Sequence, residues 1–257
     1  MMKRTIKGFI GKVMVAAMKV PVIRASINQE GYVCLPAHMQ MLKGADKQED
    51  ISEYPGFGEH ARKAIDSGLT CLSYDRLYTI WQALMLSSDT RIINTAEVGV
   101  YKGGTSRFIV DVLNVVVDQK VANHFCFDTF EGHDGKDITR SETHKPGQFD
   151  DTSFEAVGKV VGNDCRVYQG RFEDTCIAID ASRFNFVHLD VDLFLPTLHA
   201  LRFFTSRMKS DGIIVVDDYA NTSCNGVKQA VEEFLAGDKS FIRLHLLTGQ
   251  AILFKRG

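Results

Sequence analysis

The sequence predicts an α/β fold, in which a doubly wound, mostly parallel sheet follows a helical N-terminal extension. Two observations carry this prediction. From residue 91 onward, short apolar runs alternate regularly with amphipathic stretches, which is the pattern of stacked strand–helix–strand units. The run at 213–216 holds four consecutive apolar residues, which suits a strand that is buried on both faces of a sheet.

Seven strands are predicted after residue 91. They cover 92–98, 124–128, 165–170, 184–190, 212–218, 241–247 and 250–256. Only Thr248 and Gly249 separate the last two, and because a helical crossover needs more residues, we expect an antiparallel hairpin there. The five other strands are expected to run parallel and to be linked by helices at 104–117, 152–161, 173–181, 196–208 and 225–236. The predicted sheet therefore has five parallel strands and a C-terminal antiparallel hairpin.

Residues 1–88 lack this alternation and are predicted to form a helical and loop extension, which caps a substrate site or contacts another subunit. Residues 89–257 are predicted to form the main domain. Near the start of the chain, apolar residues fall on one helical face: Ile6, Phe9, Ile10, Val13 and Ala17. Lys12 and Lys19 interrupt any run of membrane-spanning length. We expect a helix that packs on this chain or on a second copy, in preference to one that lies on a membrane surface.

Composition narrows the functional classes. Charged residues make up 24% of the 257-residue chain and the net charge is -2, which argues against a nucleic-acid-binding protein. The six cysteines are scattered and form no CxxC pair, so a reducing cytoplasm is expected. The apolar N-terminal segment favours a homo-oligomer.

One predicted connection is unusually long. Residues 131–151 are polar and contain three glycines, and connections of this length inside a compact domain are usually lids or binding loops. We predict a lid loop, and a disordered surface excursion is the alternative. His133 and His144 lie on this loop and are candidate substrate contacts.

A glycine-containing segment, TAEVGVYKGGTS, follows the first predicted strand and opens the first predicted helix. Its spacing is not the G-x-G-x-x-G of dinucleotide-binding folds. Glu97 would repel a pyrophosphate but attract an ammonium group, which S-adenosylmethionine carries. The hydroxyls of Thr105 or Ser106 and the backbone amides of the helix N-terminus could donate hydrogen bonds to the carboxylate of that cofactor. This segment, which includes Gly99, therefore favours the binding of S-adenosylmethionine over that of NAD.

Two further positions fit an adenosine group. Asp128 ends the second predicted strand, where an acid can accept hydrogen bonds from both ribose hydroxyls. The alternative is that Asp128 only caps the loop that follows. Phe172 and Glu173 end the third strand and are predicted to lie beside the adenine.

Four acids follow the fourth and fifth predicted strands: Asp190, Asp192, Asp217 and Asp218. Such strand ends meet at one edge of an α/β sheet, and four carboxylates gathered there would repel one another without a cation. Oxygen-only ligands favour Mg²⁺ over zinc. We predict that Asp190, Asp217 and Asp218 bind Mg²⁺ and that Asp192, two residues from Asp190 on the same side of an extended segment, accepts a proton. Helix capping is the alternative role for these acids.

Several nearby side chains are weaker candidates. His188 lies inside an apolar strand and is predicted to be a core residue in preference to a ligand. Tyr219 and Asn221 follow the second acid pair and are predicted to face the substrate. A histidine of the lid loop is the alternative proton acceptor.

Four segments resemble the macrocin O-methyltransferase family, whose members modify deoxysugars on antibiotics and related glycosides: AEVGVYKGGTS, FDTFEG, HLDVDLFLPTLHAL and GIIVVDDYANTSCNGVKQAVEEF. The resemblance covers residues 90–240 and implies the class I methyltransferase fold, S-adenosylmethionine as methyl donor and magnesium as metal. The implied metal ligands are Asp190, Asp217 and Asp218, with Asp192 as base. The implied cofactor residues are Glu97, Gly99, Tyr101 and Asp128.

A more distant similarity to catechol O-methyltransferases points to the same metal positions. That group has a lysine shortly after the first acid, where this chain has Leu193. The difference favours a sugar hydroxyl as acceptor.

The leading hypothesis is therefore a Mg²⁺-dependent O-methyltransferase acting on a hydroxyl of a sugar or a glycosylated natural product. An NAD-dependent sugar oxidoreductase is the first alternative, but the sequence lacks both a phosphate-binding glycine fingerprint and a Tyr-x-x-x-Lys pair. A non-catalytic methyltransferase-like scaffold is the second alternative, and the intact acid set argues against it. A small-molecule glycoside is the expected partner, without nucleic acid and without stable membrane insertion.

Overall fold

The computed structural model describes residues 53–87, 92–116, 121–139 and 142–257. The basic helical segment predicted near the N-terminus lies outside the described residues. The described part of the predicted extension contains two helices, α1 (Gly58–Asp66) and α2 (Tyr74–Ser87). No described helix has the length and apolar character needed to cross a membrane.

Seven strands form one sheet. In chain order they are β1 (Ile92–Val98), β2 (Val121–Asp128), β3 (Cys165–Gln169), β4 (Phe184–Leu189), β5 (Met208–Val216), β6 (Phe241–His245) and β7 (Ala251–Lys255). Their order across the sheet is β3-β2-β1-β4-β5-β7-β6. Strands β1 to β5 run parallel, and β7 runs antiparallel to both β5 and β6. The predicted doubly wound sheet and its terminal hairpin are confirmed.

Five helices follow in the main part of the chain: α3 (Gly104–Val116), α4 (Phe154–Val161), α5 (Phe172–Thr175), α6 (Phe194–Thr205) and α7 (Asn225–Gly237). The helix predicted at 173–181 is wrong in detail, because α5 has only four residues and continues as a 3-10 turn over Cys176–Ile179. The remaining helices begin and end within three residues of their predicted limits.

The alternation of side chains along β5 divides the core between the two faces of the sheet. Ile214 and Val216 pack in a cluster with residues of α6 and α7, whereas Ile213 and Val215 pack with residues of α1, α2 and α3. Residues of α1 and α2 therefore contribute to the core of the sheet. The division at residue 88 stays a prediction.

Strand β5 ends two residues earlier than predicted, at Val216. Asp217 and Asp218 consequently lie in the turn that follows, where the Asn221 amide donates to the Asp218 carbonyl at 3.2 Å. Successive side chains would diverge in an extended strand, but in a turn both can point towards the same edge of the sheet. The carboxyl ends of β1, β2, β4 and β5 meet at this edge.

Candidate active site

A cavity of about 360 Å³ lies at the carboxyl ends of the parallel strands. Its lining includes most of the predicted site residues: Gly99, Tyr101, Thr105, Asp128, His133, His144, Phe172, Glu173, Asp190, Asp192, Asp217 and Asp218. A cavity of this size and position is typical of ligand sites in open α/β sheets.

Gly99 lies where the ends of β1, β2 and β4 meet. Its amide donates to the Phe127 carbonyl, and the Asp190 amide donates to the Val98 carbonyl, both at 2.9 Å. Gly99 has a φ of +86°, and a Cβ at this position would lie 1.8 Å from the Asp190 carbonyl oxygen. Only glycine fits here, because a side chain would push the end of β4 away from the loop.

Glu97 and Ser106 are not among the residues that line the cavity. Glu97 is buried, and its carboxylate accepts hydrogen bonds from the Ser106 hydroxyl and from Nδ1 of His188, the latter at 2.8 Å. Both residues therefore lie behind the loop in this structure, and their predicted direct contact with the cofactor stays a prediction.

His188 is fully buried, as predicted for a core residue, and connects Glu97 to the acid cluster. Its Nε2 lies 3.8 Å from Oδ1 of Asp217. Burial opposes the charged imidazolium, but contacts with Asp217 and Glu97 outweigh burial and raise the pKa of His188 to about 10. His188 therefore lies between two acids that favour its charged form.

Asp128 caps the glycine-containing loop. Its carboxylate accepts hydrogen bonds from the amides of Val100 and Tyr101, at 2.7 and 2.8 Å, and from the amide of Phe130 at 2.7 Å. The capping role considered from the sequence is thus present. Because each carboxylate oxygen has a second lone pair, the predicted ribose contact stays a prediction.

The other predicted cofactor residues lie on the wall of the cavity. Thr105 shares a 2.8 Å hydrogen bond with Thr70, which belongs to the segment before α2. Phe172 packs edge-on against Phe127, with 5.2 Å between ring centroids. Glu173 forms an ion pair with Arg171.

Carboxylate oxygens of Asp190, Asp217 and Asp218 lie within 4.8 Å of one another. Burial and the charges of Asp217 and Asp218 raise the pKa of Asp190, and burial with the charge of Asp217 raises the pKa of Asp218 to about 7. Asp217 has a lowered pKa, because His188 and Arg76 outweigh the effect of its burial. Two of the three carboxyls therefore sit where negative charge is disfavoured, and a bound cation would compensate that charge.

Arg76, on α2, is a site residue that the sequence analysis missed. Its guanidinium NH1 donates to Asp217 and, at 3.2 Å, to Asp218. Its Nε donates to the Thr248 carbonyl at 3.3 Å, and Gln250 Nε2 donates to Asp217 at 2.7 Å. Arg76 is separated from Asp217 by 141 residues, so no local pattern links them.

Asp192 reaches the cavity through a turn. It has a φ of +60°, and the Leu193 amide donates to the Val191 carbonyl at 2.7 Å, closing a three-residue turn. The predicted extended path from Asp190 to Asp192 is therefore wrong, although both side chains line the cavity. Non-glycine residues with a positive φ are found preferentially at functional sites.

The Asp192 carboxylate has two neighbours from other segments. The Cys224 thiol donates to Oδ1 at 3.2 Å, and Nε2 of His133 lies 3.5 Å from Oδ2. Burial disfavours ionisation, but His133, Asp218 and Cys224 outweigh it and lower the pKa of Asp192 to about 2.

Tyr219 does not face the cavity. Its side chain is buried against His245, with ring centroids 5.1 Å apart, and its hydroxyl donates to Glu232. Its assignment as a substrate contact is corrected, because the chain has turned away from the cavity by this residue. Asn221 does line the cavity.

The described residues of the loop 131–151 dock over the cavity. Glu142 accepts hydrogen bonds from the Phe194 amide, at the start of α6, and from the Thr139 amide, both at 2.7 Å. The Tyr101 hydroxyl donates to Asp151 at 2.7 Å. His133 and His144 lie edge to face, with 5.0 Å between ring centroids. The loop thus brings both histidines to the acids.

We expect Glu142→Ala to release this loop, because the variant loses both accepted hydrogen bonds and a carboxylate at a helix N-terminus. Cleavage by trypsin after Lys136 should become about tenfold faster, which corresponds to about 1.4 kcal/mol of loop docking. Glu131→Ala, on an exposed position of the same loop, is the control and should leave the cleavage rate unchanged. Equal rates in both variants would contradict a docking role for Glu142.

Comparison with known sequences identifies related proteins. The sequence model of the family described as Macrocin-O-methyltransferase (TylF) matches residues 67–256. A curated relative from Streptomyces olivaceus, 8-demethyl-8-(2,3-dimethoxy-alpha-L-rhamnosyl)-tetracenomycin-C 4'-O-methyltransferase, is 28% identical over 151 residues. The match covers 54% of this chain and 56% of that relative, so the chain spans little more than half of its length.

Solved structures show the same fold. The O-methyltransferase NovP superposes with a TM-score of 0.64 at 21% identity, covering 74% of this chain and 83% of NovP. CalS11, a calicheamicin methyltransferase, superposes with a TM-score of 0.57 at 16% identity, covering 87% of this chain and 98% of CalS11.

Proposed function

Because the chain belongs to the Macrocin-O-methyltransferase (TylF) family, we propose that it transfers a methyl group from S-adenosylmethionine to a sugar hydroxyl, with the help of Mg²⁺. The acceptor would be a sugar or a glycosylated natural product. The observation that carries this proposal is the convergence of three carboxylates, Asp192 and the glycine-containing loop on one cavity.

The acid cluster fits a magnesium ion. Asp190, Asp217 and Asp218 offer only oxygen ligands, which Mg²⁺ prefers, and burial together with the neighbouring acids raises the pKa values of Asp190 and Asp218. These three residues would hold the ion. When bound, it would supply Lewis-acid stabilisation to the acceptor oxygen as its proton leaves.

The methyl donor would lie along the other side of the cavity. The loop and the start of α3 contribute Gly99, Tyr101 and Thr105 to this side, and Asp128 supports the loop. Phe172 provides an apolar face and Glu173 an acid. The acceptor oxygen would then form a bond to the methyl carbon as the carbon–sulfur bond breaks. Positioning of the two reactants would supply much of the rate.

Asp192 and His133 together are proposed to accept the hydroxyl proton. A carboxylate with a pKa of about 2 is ionised at neutral pH but is a weak base by itself, so the His133 ring, with Nε2 3.5 Å from that carboxylate, would share the proton. His133→Gln should reduce kcat by about 10²-fold. If kcat is unchanged in His133→Gln and falls in Asp192→Asn, Asp192 is the base by itself.

The sugar acceptor is supported by the curated relative, which is named for O-methylation of a rhamnosylated tetracenomycin. The homo-oligomer and the cytoplasmic location expected from the sequence stay predictions.

The direct test supplies the protein with S-adenosylmethionine carrying a labelled methyl group, Mg²⁺ and a panel of neutral glycosides. We expect label in a glycoside and loss of transfer in EDTA, with recovery when Mg²⁺ is restored. Calorimetry should show binding of S-adenosylhomocysteine and not of NAD. Binding of NAD alone would favour the oxidoreductase alternative, and transfer that is unchanged in EDTA would remove the metal from the mechanism.

Magnesium affinity should depend on pH. The pKa of Asp218 is raised to about 7 in the metal-free fold, so this carboxyl destabilises the fold as pH rises from its unfolded value towards 7. Mg²⁺ needs the ionised form and must displace the proton below pH 7. We expect affinity to rise at least about tenfold per pH unit from pH 5.5 to pH 7, because Asp190, whose pKa is also raised, must be ionised as well. Calorimetry in buffers of different ionisation enthalpy would detect the released proton, and a flat affinity from pH 5.5 to 7 would contradict the shift.

A further inference from the structure

We propose that the cavity contains a second metal site, in which His144, Asp192 and Cys224 bind Zn²⁺ or a similar borderline-soft divalent ion. A ring nitrogen of His144, a carboxylate oxygen of Asp192 and the Cys224 sulfur all lie within 4.8 Å of one another. The three residues come from separate segments: the loop over the cavity, the turn after β4 and the residue that caps α7. The fold, not local sequence, brings them together.

The donor set differs in chemistry from the acid cluster. Imidazole, thiolate and carboxylate are the ligands of zinc sites, and three protein ligands leave a fourth position open. Mg²⁺ takes oxygen ligands and has little use for a thiolate. The cavity would thus hold two neighbouring sites with opposite preferences, one hard and one borderline-soft.

The orientation of His144 supports the proposal. Its Nδ1 lies 3.2 Å from the Gln148 side-chain oxygen, and this contact assigns the N–H to Nδ1 and leaves Nε2 with a free lone pair. Nε2 is buried and has no hydrogen-bond partner among the described residues. Histidines that bind metals are held in this way by a second partner, and a buried unpaired nitrogen otherwise has a free-energy cost.

The geometry needs only a small adjustment. Cys224 already lies 3.2 Å from Oδ1 of Asp192, and both are set on turns next to α6 and α7. Zinc bonds of about 2.0 Å to nitrogen and about 2.3 Å to sulfur require ligand atoms within about 4 Å of one another. Because the three ligand atoms already lie within 4.8 Å of one another, His144, on the loop, would move inward by no more than about an ångström. His133, whose Nε2 is also buried without a hydrogen bond among the described residues, lies beside the site as a further donor.

Occupation of this site would engage Asp192 and hold the loop closed against α7. If the proposed methyl transfer is correct, Zn²⁺ should inhibit it without displacing Mg²⁺ from the acid cluster. Only this consequence rests on the proposed function, and binding itself does not.

The test uses Co²⁺ as a spectroscopic substitute for Zn²⁺ on the full-length, chelator-stripped protein preloaded with Mg²⁺. We expect a thiolate-to-cobalt charge-transfer band in the near ultraviolet that saturates at one equivalent and is removed by Zn²⁺. Cys224→Ser should abolish the band, and His144→Gln should weaken Co²⁺ binding at least tenfold. Cys176→Ser, which changes a cysteine outside the cavity lining, should retain the band.

Each outcome decides the proposal. No charge-transfer band with the wild-type protein, or a band that persists in Cys224→Ser and disappears in Cys71→Ser, would overturn it. Because His144→Gln changes an accessible loop, it tests the site even if Cys224→Ser fails to fold. A cobalt band without any methyl transfer would retain this site and reject the proposed enzyme function.

Discussion

Asp190→Asn is expected to lower kcat/KM for methyl transfer by about 10³-fold, which corresponds to about 4 kcal/mol of transition-state stabilisation. The amide keeps the shape of the side chain but removes a charged ligand from the acid cluster. Burial and the neighbouring Asp217 and Asp218 raise the pKa of Asp190, so its charge is unfavourable in the metal-free protein. We therefore expect the metal-free variant to unfold at the same temperature as the wild type or at a higher one.

The measurement pairs steady-state kinetics with calorimetric Mg²⁺ titration and thermal unfolding. Asp211→Asn is the matched control, since Asp211 is exposed in the first half of β5, away from the cavity. It should change neither activity nor Mg²⁺ affinity. If Asp190→Asn retained both, the three-acid metal site would be wrong, whereas an unfolded variant would assign Asp190 a structural role.

Arg76→Met is expected to destabilise the metal-free protein by about 2–3 kcal/mol. The methionine preserves apolar packing along the stem, but two largely buried carboxylates lose their cation. The figure lies below that for a fully buried pair because the Arg76 side chain is 23% exposed. Saturating Mg²⁺ should restore most of the loss, because the ion compensates the same charges and binds more tightly when the guanidinium is absent.

Urea unfolding with and without Mg²⁺ measures this difference directly. Arg202→Met, which removes an exposed arginine paired with Glu233 at 3.0 Å, should change stability by less than about 0.5 kcal/mol. An equal loss for Arg76→Met with and without Mg²⁺ would show that Arg76 supports the fold independently of the acids. No loss in either condition would mean that the ion pair contributes nothing measurable.

The strands were predictable because burial on both faces leaves a continuous apolar run in the sequence, as in 213–216, or a run broken by few polar residues, as in 184–189. The hairpin followed from a link too short for a helix. The clustering of Asp190, Asp217 and Asp218 followed from the rule that parallel strand ends share an edge. These features depend on local pattern and on sheet topology, both of which the sequence records.

The errors and omissions depend on tertiary contacts. Arg76 forms ion pairs with acids that lie far along the chain, and no spacing rule predicts such a pair. Tyr219 points away because β5 ends with the apolar run at Val216, two residues before the predicted end of the strand. Glu97 lies behind the loop because the buried His188 competes for its carboxylate. His188, in an apolar strand that ends in acids, is the one signal of this network in the sequence. The sequence predicts only a core role for it.

Contacts connect Glu97 through His188 to Asp217. Because of them, the two halves of the cavity cannot be redesigned independently. Replacing the glutamate to admit another donor molecule would leave the imidazolium with one fewer counter-charge and alter the field at a carboxylate across the sheet. Substitutions at positions 97 and 217 should therefore show epistasis, with paired changes differing from the sum of the single ones. Useful variants at either position will have to be selected together with a compensating residue at position 188.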